Sequence, residues 1–264
     1  MQANQLVHRA KQYSHVTITV RDIPWNEIGI CFHSDAAFAN AKAHAIQAGY
    51  ILGFVGPELT QNMPTKWSPF CWKSYRLPRV VSSTLGGESQ SFSTASALAE
   101  WMSLMITEAK HGCFDLRDYA NLSHPVSKFQ KKPKIEAVLT GISDCKSLYD
   151  SLTSMSSVTK SEDKRVAIDL AILRQTMSRT GMAVRWCPTQ LMIADGLTKD
   201  QMDAADLLRA ILDVGEYQLN SEATILAIKR KHREHRTARR KLQQKHEHER
   251  REQKKQFQSV HPSM

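Results

Sequence analysis

Residues 28–215 predict an α/β domain, a mixed five-stranded sheet with helices on both faces. Two observations carry that prediction. Three early segments show the two-residue apolar alternation of strands and are joined by short turns, so they should pair antiparallel. The two later strand-like segments are reached only through stretches of helical period, which demands crossovers and parallel pairing. From Lys229 the composition turns polar and basic. From there to Gln256, Ala238 and Leu242 are the only aliphatic residues. A segment with no apolar face to bury is a solvated helix or a disordered arm.

The elements follow in order. Ile28, Ile30 and Phe32 alternate with Gly29, Cys31 and His33 in a strand ending at Asp35. A second strand runs from Ile46 to Val55 and is stopped by Gly56-Pro57, and a third spans Pro69 to Tyr75. Over residues 88–109 the period changes to three and four, with Phe92, Ala95, Ala99, Met102 and Ile106 on one stripe. Ile135 to Ser143 is a strand ending at Asp144, with a short helix through Leu148 behind it. Val166, Leu170, Leu173 and Met177 mark a helix that Gly181 closes as a C-cap. Ala183 to Cys187 forms the last strand, and Leu207, Leu208, Ile211 and Leu212 the last core helix. Residues 1–27 form a leader: Leu6, Val7, Ala10 and Tyr13 suit one face of a short helix, Val16 to Val20 alternates like a strand, and Pro24 ends the pattern.

Composition narrows the setting. Five widely spaced cysteines form no C-x-x-C pair, which argues against a disulfide framework or zinc site and fits a reducing compartment. Met1 to Lys11 has no apolar stretch of the signal-peptide kind, and no run reaches the roughly eighteen apolar residues a membrane span needs. An intracellular protein, in cytoplasm or nucleus, is expected. Of the net charge of +10, the 13 Lys and Arg against 4 Glu between Lys229 and Lys255 supply +9. The body is nearly neutral, and the basicity belongs to the tail.

Four carboxylates stand at or near element ends: Asp35, Glu88, Asp144 and Asp195, at intervals of 51 to 56 residues. Singly, each has an ordinary reading as a turn residue, a helix-dipole partner, an N-cap or a helix start. Brought together they would repel one another unless cations lay between them, so as a set they point to a two-metal phosphodiester site.

Their local settings resemble one family. His33-Ser34-Asp35 with Ala36-Ala37-Phe38, the Trp72-Lys73-Ser74 strand followed by Ser83-Thr84 and Glu88, and Asp144-Cys145-Lys146-Ser147 each resemble segments of the ribonuclease H domain of copia-type retrotransposon Pol polyproteins. So does Ala167-Ile168-Asp169. Pro188-Thr189, Ala194-Asp195 and Thr198-Lys199 are similar to that domain's closing motif. The resemblance covers residues 28–215, and loosely 1–27, which would correspond to the end of a reverse-transcriptase region. It implies a ribonuclease H-like fold and an endonuclease cutting the RNA strand of RNA–DNA hybrids during reverse transcription. It further implies two Mg²⁺ ions, about 4 Å apart, with Mn²⁺ an alternative. In that scheme Asp35 bridges both ions, Asp195 helps hold the one that activates water, and Glu88 with Asp144 the one at the leaving oxygen. Asp169, in mid-helix, is expected to be a surface or supporting residue. No Tyr-x-Asp-Asp polymerase signature occurs in the chain.

Two other readings stay open. A DNA transposase or integrase shares the fold class, but its essential Glu comes last, whereas Glu88 comes second here. A repurposed transposon fragment that binds nucleic acid without cutting is the other, since Ala37, Cys145 and Ala167 depart from the family pattern. The expected partner is an RNA–DNA hybrid. Residues 216–264 form the charged tail, in which Lys229, Arg230, Lys231, Arg233, Arg236, Arg239, Arg240 and Lys241 are candidates for binding phosphates. No aromatic residue interleaves them, so base stacking is not expected.

Overall fold

The computed structural model describes residues 17–37, 46–112, 137–154, 163–199 and 202–220, with isolated positions before and after. Met1–Asn220 forms one compact unit and Ser221–Met264 a second. Within the second, Arg230 is exposed; the other seven tail candidates lie outside the described residues.

Among the described residues the first unit is a mixed sheet of six strands in the order β5-β4-β1-β2-β3-β6. β1 (Gly29–Ala37), β2 (Gln47–Val55) and β3 (Thr65–Arg76) form an antiparallel meander. β4 (Leu139–Ser143) pairs parallel to β1, and β5 (Ala183–Trp186) parallel to β4. The expected mixed α/β arrangement is present. The sheet has six strands rather than five because Glu216–Tyr217, β6, adds to β3 through Thr65 and Lys66. That last strand lies just past residue 215, where the charged tail was expected to begin. Tyr217 and Leu219 are buried, so the fold continues through them.

Helices cover both faces. On one face α1 (Thr84–His111), α2 (Lys146–Thr153) and α3 (Lys164–Thr180) enclose Ile30, Phe32, Tyr50, Leu52 and Leu139. On the other, α4 (Asp195–Thr198) and α5 (Met202–Val214) enclose Cys31, Ile51, Val55, Trp67 and Ile142. All nine residues of β1 are therefore buried, which puts the polar side chains of this strand in the interior. The sheet can approach α1 closely because Gly141 has no side chain. A Cβ there would lie 2.5 Å from both Phe32 and Phe92, which meet edge to face at 4.8 Å between ring centres.

Several boundaries differ from the sequence reading for local reasons. β1 runs two residues past Asp35 because Ala36 and Ala37 pair with Ala48 and Gln47. β3 starts at Thr65, four residues before Pro69. The proline is tolerated at a register shift, where Leu52 faces Cys71 and Gly53 faces Pro69. α1 starts at Thr84, behind an N-cap in which Ser83 Oγ accepts from the Gly86 amide at 3.1 Å. Gly181 closes α3 in the left-handed conformation, as expected.

In the leader, residues 17–24 form an irregular strap rather than a strand. The Thr17 hydroxyl donates to Asp213, and the Thr19 amide donates to the Leu212 carbonyl at 2.8 Å. The Arg21 guanidinium donates to the Val214 carbonyl at 2.6 and 3.1 Å. Among the described residues no helix is long and apolar enough to cross a membrane.

Candidate active site

β1 and β4 are adjacent and parallel, so their C-terminal ends leave the sheet on the same side. Crevices at such strand ends are where α/β sheets bind ligands. Asp35 lies near the end of β1 and Asp144 follows the last residue of β4. Asp195 is the first residue of α4, which crosses the same end of the sheet from one face. Glu88 reaches it from the second turn of α1, on the other face.

Asp35, Asp144 and Asp195 each bring a carboxylate oxygen to within 4.8 Å of the other two. Glu88 stands outside that group of three but shares its field, because the charges of Asp35 and Asp144 act on it. The Ala36 backbone works the other way, favouring its charged form. Asp35 and Asp195 are buried, and so is Glu88. Asp144 is half-buried; the Thr189 side chain favours its charged form, and Trp186 Nε1 donates to its carbonyl at 2.9 Å. The N-cap position of α2 falls to Cys145, so Asp144 is not spent as a helix cap. Asp169 lies apart from the group, ion-paired with Arg79 at 3.7 Å.

Sequence reasoning gave roles to the four carboxylates, but quoted Ser74, Thr198 and Lys199 only as parts of motifs, with no role in organising the site. Lys199 extends its ammonium to 2.7 Å from Asp195 Oδ2 and 3.9 Å from Asp35 Oδ2. Thr198 donates to Asp35 Oδ2, and Ser74 Oγ donates to the Leu197 carbonyl at 2.5 Å. These bonds pin the short α4 against β1 and β3. The signal for Thr198 and Lys199 was their spacing of three and four from Asp195, which places them on the same side of a helical turn. Gly49 is the other contributor. It sits opposite Asp35 in the β1–β2 ladder, and a Cβ there would lie 2.8 Å from Thr198 Cγ2 and 2.9 Å from Leu197 Cβ. Nothing in the sequence distinguished it from the other strand glycines.

The electrostatics follow from this crowding. Burial, and then the charge of Asp35, push the Asp195 carboxyl up to about 7, against the pull of Lys199. Burial raises Glu88 well above the ordinary range, with Asp35 and Asp144 adding to it. Asp144 is raised by burial and by Asp35, and lowered in part by Thr189 and Lys199. For Lys199, burial opposes the charge, but the surrounding carboxylates outweigh it and raise its pKa. Glu88 Oε2 and Asp195 Oδ1 are buried without a hydrogen-bond partner. Buried acceptors in that condition cost free energy unless another species satisfies them. A divalent cation fits: the donors are all hard carboxylate oxygens, and among the described residues no imidazole or thiolate joins them, which suits Mg²⁺ or Mn²⁺ better than zinc.

No protein-family model matches the chain, and no curated protein matches it. Among solved structures it is similar to the ribonuclease H1 of the halophilic archaeon Halobacterium salinarum NRC-1, with 12% identity over 67% of this chain and 97% of that one, and a TM-score of 0.38. A second is LC11-RNase H1 isolated from compost by a metagenomic approach, with 12% identity over 68% of this chain and 98% of that one, and a TM-score of 0.36. A third is a foamy viral protease–reverse transcriptase in complex with an RNA/DNA hybrid, with 9% identity and a TM-score of 0.38. There the match covers 74% of this chain but only 20% of the viral one. These are likenesses of fold alone.

Proposed function

We propose that this chain is an endonuclease of the ribonuclease H type, cutting the RNA strand of RNA–DNA hybrids with two divalent ions. We place it in the reverse transcription of a copia-type retrotransposon. The observation that carries the reading is the meeting of Asp35, Asp144 and Asp195, with Glu88 alongside, at the ends of two parallel strands. Four carboxylates, two of them with partnerless buried oxygens, suit cations far better than they suit one another. Asp35, Glu88, Asp144 and Asp195 would hold Mg²⁺ or Mn²⁺. Such ions supply Lewis acidity toward a phosphate and lower the pKa of water.

The chain's own residues supply the rest. Thr198 and Ser74 fix α4 so that Asp195 faces Asp35. Thr189 favours the charged form of Asp144, and the Ala36 backbone that of Glu88. Acting on RNA rather than DNA requires recognition of hybrid shape and 2′-hydroxyls, with no reading of base sequence. The test is a labelled RNA–DNA hybrid incubated with and without Mg²⁺. Ion-dependent cutting of the RNA strand is expected, with duplex DNA of the same sequence left intact. Equal cutting of duplex DNA would move the assignment to a transposase-type nuclease. Saturable hybrid binding with no cutting in either metal would leave a nucleic-acid-binding fragment.

The tail between Lys229 and Lys255 adds affinity in this reading, not chemistry. Deleting residues 222–264 removes no carboxylate of the site and nothing of the unit ending at Asn220. Hybrid binding should weaken, and the slope of log affinity against log salt should flatten by roughly 0.9 for each phosphate that the arm no longer neutralises. Cleavage at saturating substrate should be retained. An unchanged salt slope would show the arm to be a solvated extension only.

A further inference from the structure

We infer that Lys199 is an internal counter-cation of the carboxylate site, held where a divalent ion would otherwise neutralise it and displaced when that ion binds. The inference rests on the metal-site reading above. The ammonium bridges carboxylates from two elements, Asp195 at the start of α4 and Asp35 on β1, at 2.7 and 3.9 Å. Its charge also acts, more weakly, on Glu88 and Asp144. The Lys199 side chain is only 24% exposed, an expensive placement for an ammonium that had no such partners.

The neutralisation is incomplete. One positive charge stands against four carboxylates, and Glu88 Oε2 and Asp195 Oδ1 receive no donor from it or from any other described group. The site is therefore held together in the metal-free protein while its appetite for further cations remains. Lysine suits a displaceable plug. Its ammonium is a compact point charge on a flexible four-carbon stem and can turn aside without unlocking a planar fork, as an arginine would have to. Two properties follow. Metal must compete with Lys199, so the wild type binds ions more weakly than the bare carboxylates would. The same residue stabilises the fold when ions are scarce.

Calorimetric titration of the substrate-free full chain with Mn²⁺ tests this, alongside thermal melting in chelator and in Mn²⁺. Lys199→Met should bind Mn²⁺ roughly tenfold more tightly than wild type. It should melt at lower temperature in chelator and gain more than wild type on adding Mn²⁺. Lys199→Arg, which keeps the charge, should show no gain in affinity. Where the Met variant melts too low to titrate, Lys199→Gln carries the same expectation, since it keeps a donor toward Asp195 without the charge. Equal or weaker Mn²⁺ affinity in the uncharged variants, with wild type binding normally, overturns the role of Lys199 alone. Absence from the wild type of any Mn²⁺ binding that Asp35→Asn reduces overturns the metal site and this inference together.

Discussion

Asp35→Asn is expected to lower Mg²⁺-dependent cleavage by a factor of about 10³ or more, roughly 4 kcal/mol of transition-state stabilisation, while the protein stays folded. Asp35 is the acid through which the others are coupled: its charge raises Glu88, Asp144 and Asp195 alike. Neutralising it removes an anionic ligand and the repulsion together, so loss of activity should accompany a gain in metal-free stability. The pH dependence gives a second readout. Asp195 has its folded-state value raised to about 7 from an ordinary 3.8, so the folded protein binds a proton that the unfolded chain has released. Its contribution is fully present below about pH 3.8 and is lost as pH rises through about 7. His33, fully buried with both ring nitrogens unpartnered, has the opposite sign. Burial lowers it to about 3, so its contribution is present above about pH 6.5 and is lost as pH falls toward 3. The His33 slope is common to wild type and variant and cancels in the difference. Melting in chelator between pH 4 and 8 should therefore show Asp35→Asn losing less stability than wild type as pH rises. Near-normal Mg²⁺-dependent turnover in the purified variant would remove Asp35 from the site.

Gly49→Ala should damage both stability and activity. The added methyl would meet Thr198 Cγ2 and Leu197 Cβ, and the second of these is anchored directly to the backbone. Relief requires α4 to lift from the sheet, which weakens the Thr198 bond to Asp35 and the Ser74 bond to Leu197. Overpacking of this kind costs about 1–3 kcal/mol. Displacing Asp195 by a fraction of an ångström to one ångström from Asp35 should cut the rate by about 10²-fold. Thermal melting measures the first effect, and single-turnover cleavage with a Mn²⁺ titration the second. Full activity with a lowered melting temperature would show that α4 reseats with the site intact.

Much of this architecture was legible because it rests on periodicity. The three meander strands and the α1 stripe at Phe92, Ala95, Ala99 and Ile106 repeat at their own element's period over many residues, and the pattern survives a few irregular positions. What escaped lacks a local pattern. β6 is two residues long and exists only because Glu216 and Tyr217 find the edge of β3 after α5 has ended. The start of α1 was read four residues late, since Gly86 and Gly87 weaken helix propensity where the Ser83 cap supplies the start instead. At the site, the acids stood out as isolated charges at element ends. Thr189, Ser74 and Gly49 carry no charge and act only across long separations in sequence, through neighbours that the fold alone brings to them. Lys199 could be placed beside Asp195 by helical spacing, but its approach to Asp35 depends on the crossing of α4 over β1.

The strap over residues 17–24 has a topological consequence. Thr17 hydrogen-bonds Asp213, and Thr19 and Arg21 hydrogen-bond Leu212 and Val214, across nearly two hundred residues of intervening chain. The folded unit is thus an almost closed ring, with its entrance and exit side by side. Such a ring can be set into a longer polypeptide as an insert, since a host chain interrupted there meets both ends at one place. It can equally be circularly permuted: a short linker joining the two ends would replace the strap's work, and the chain could be reopened at an exposed turn remote from the four acids.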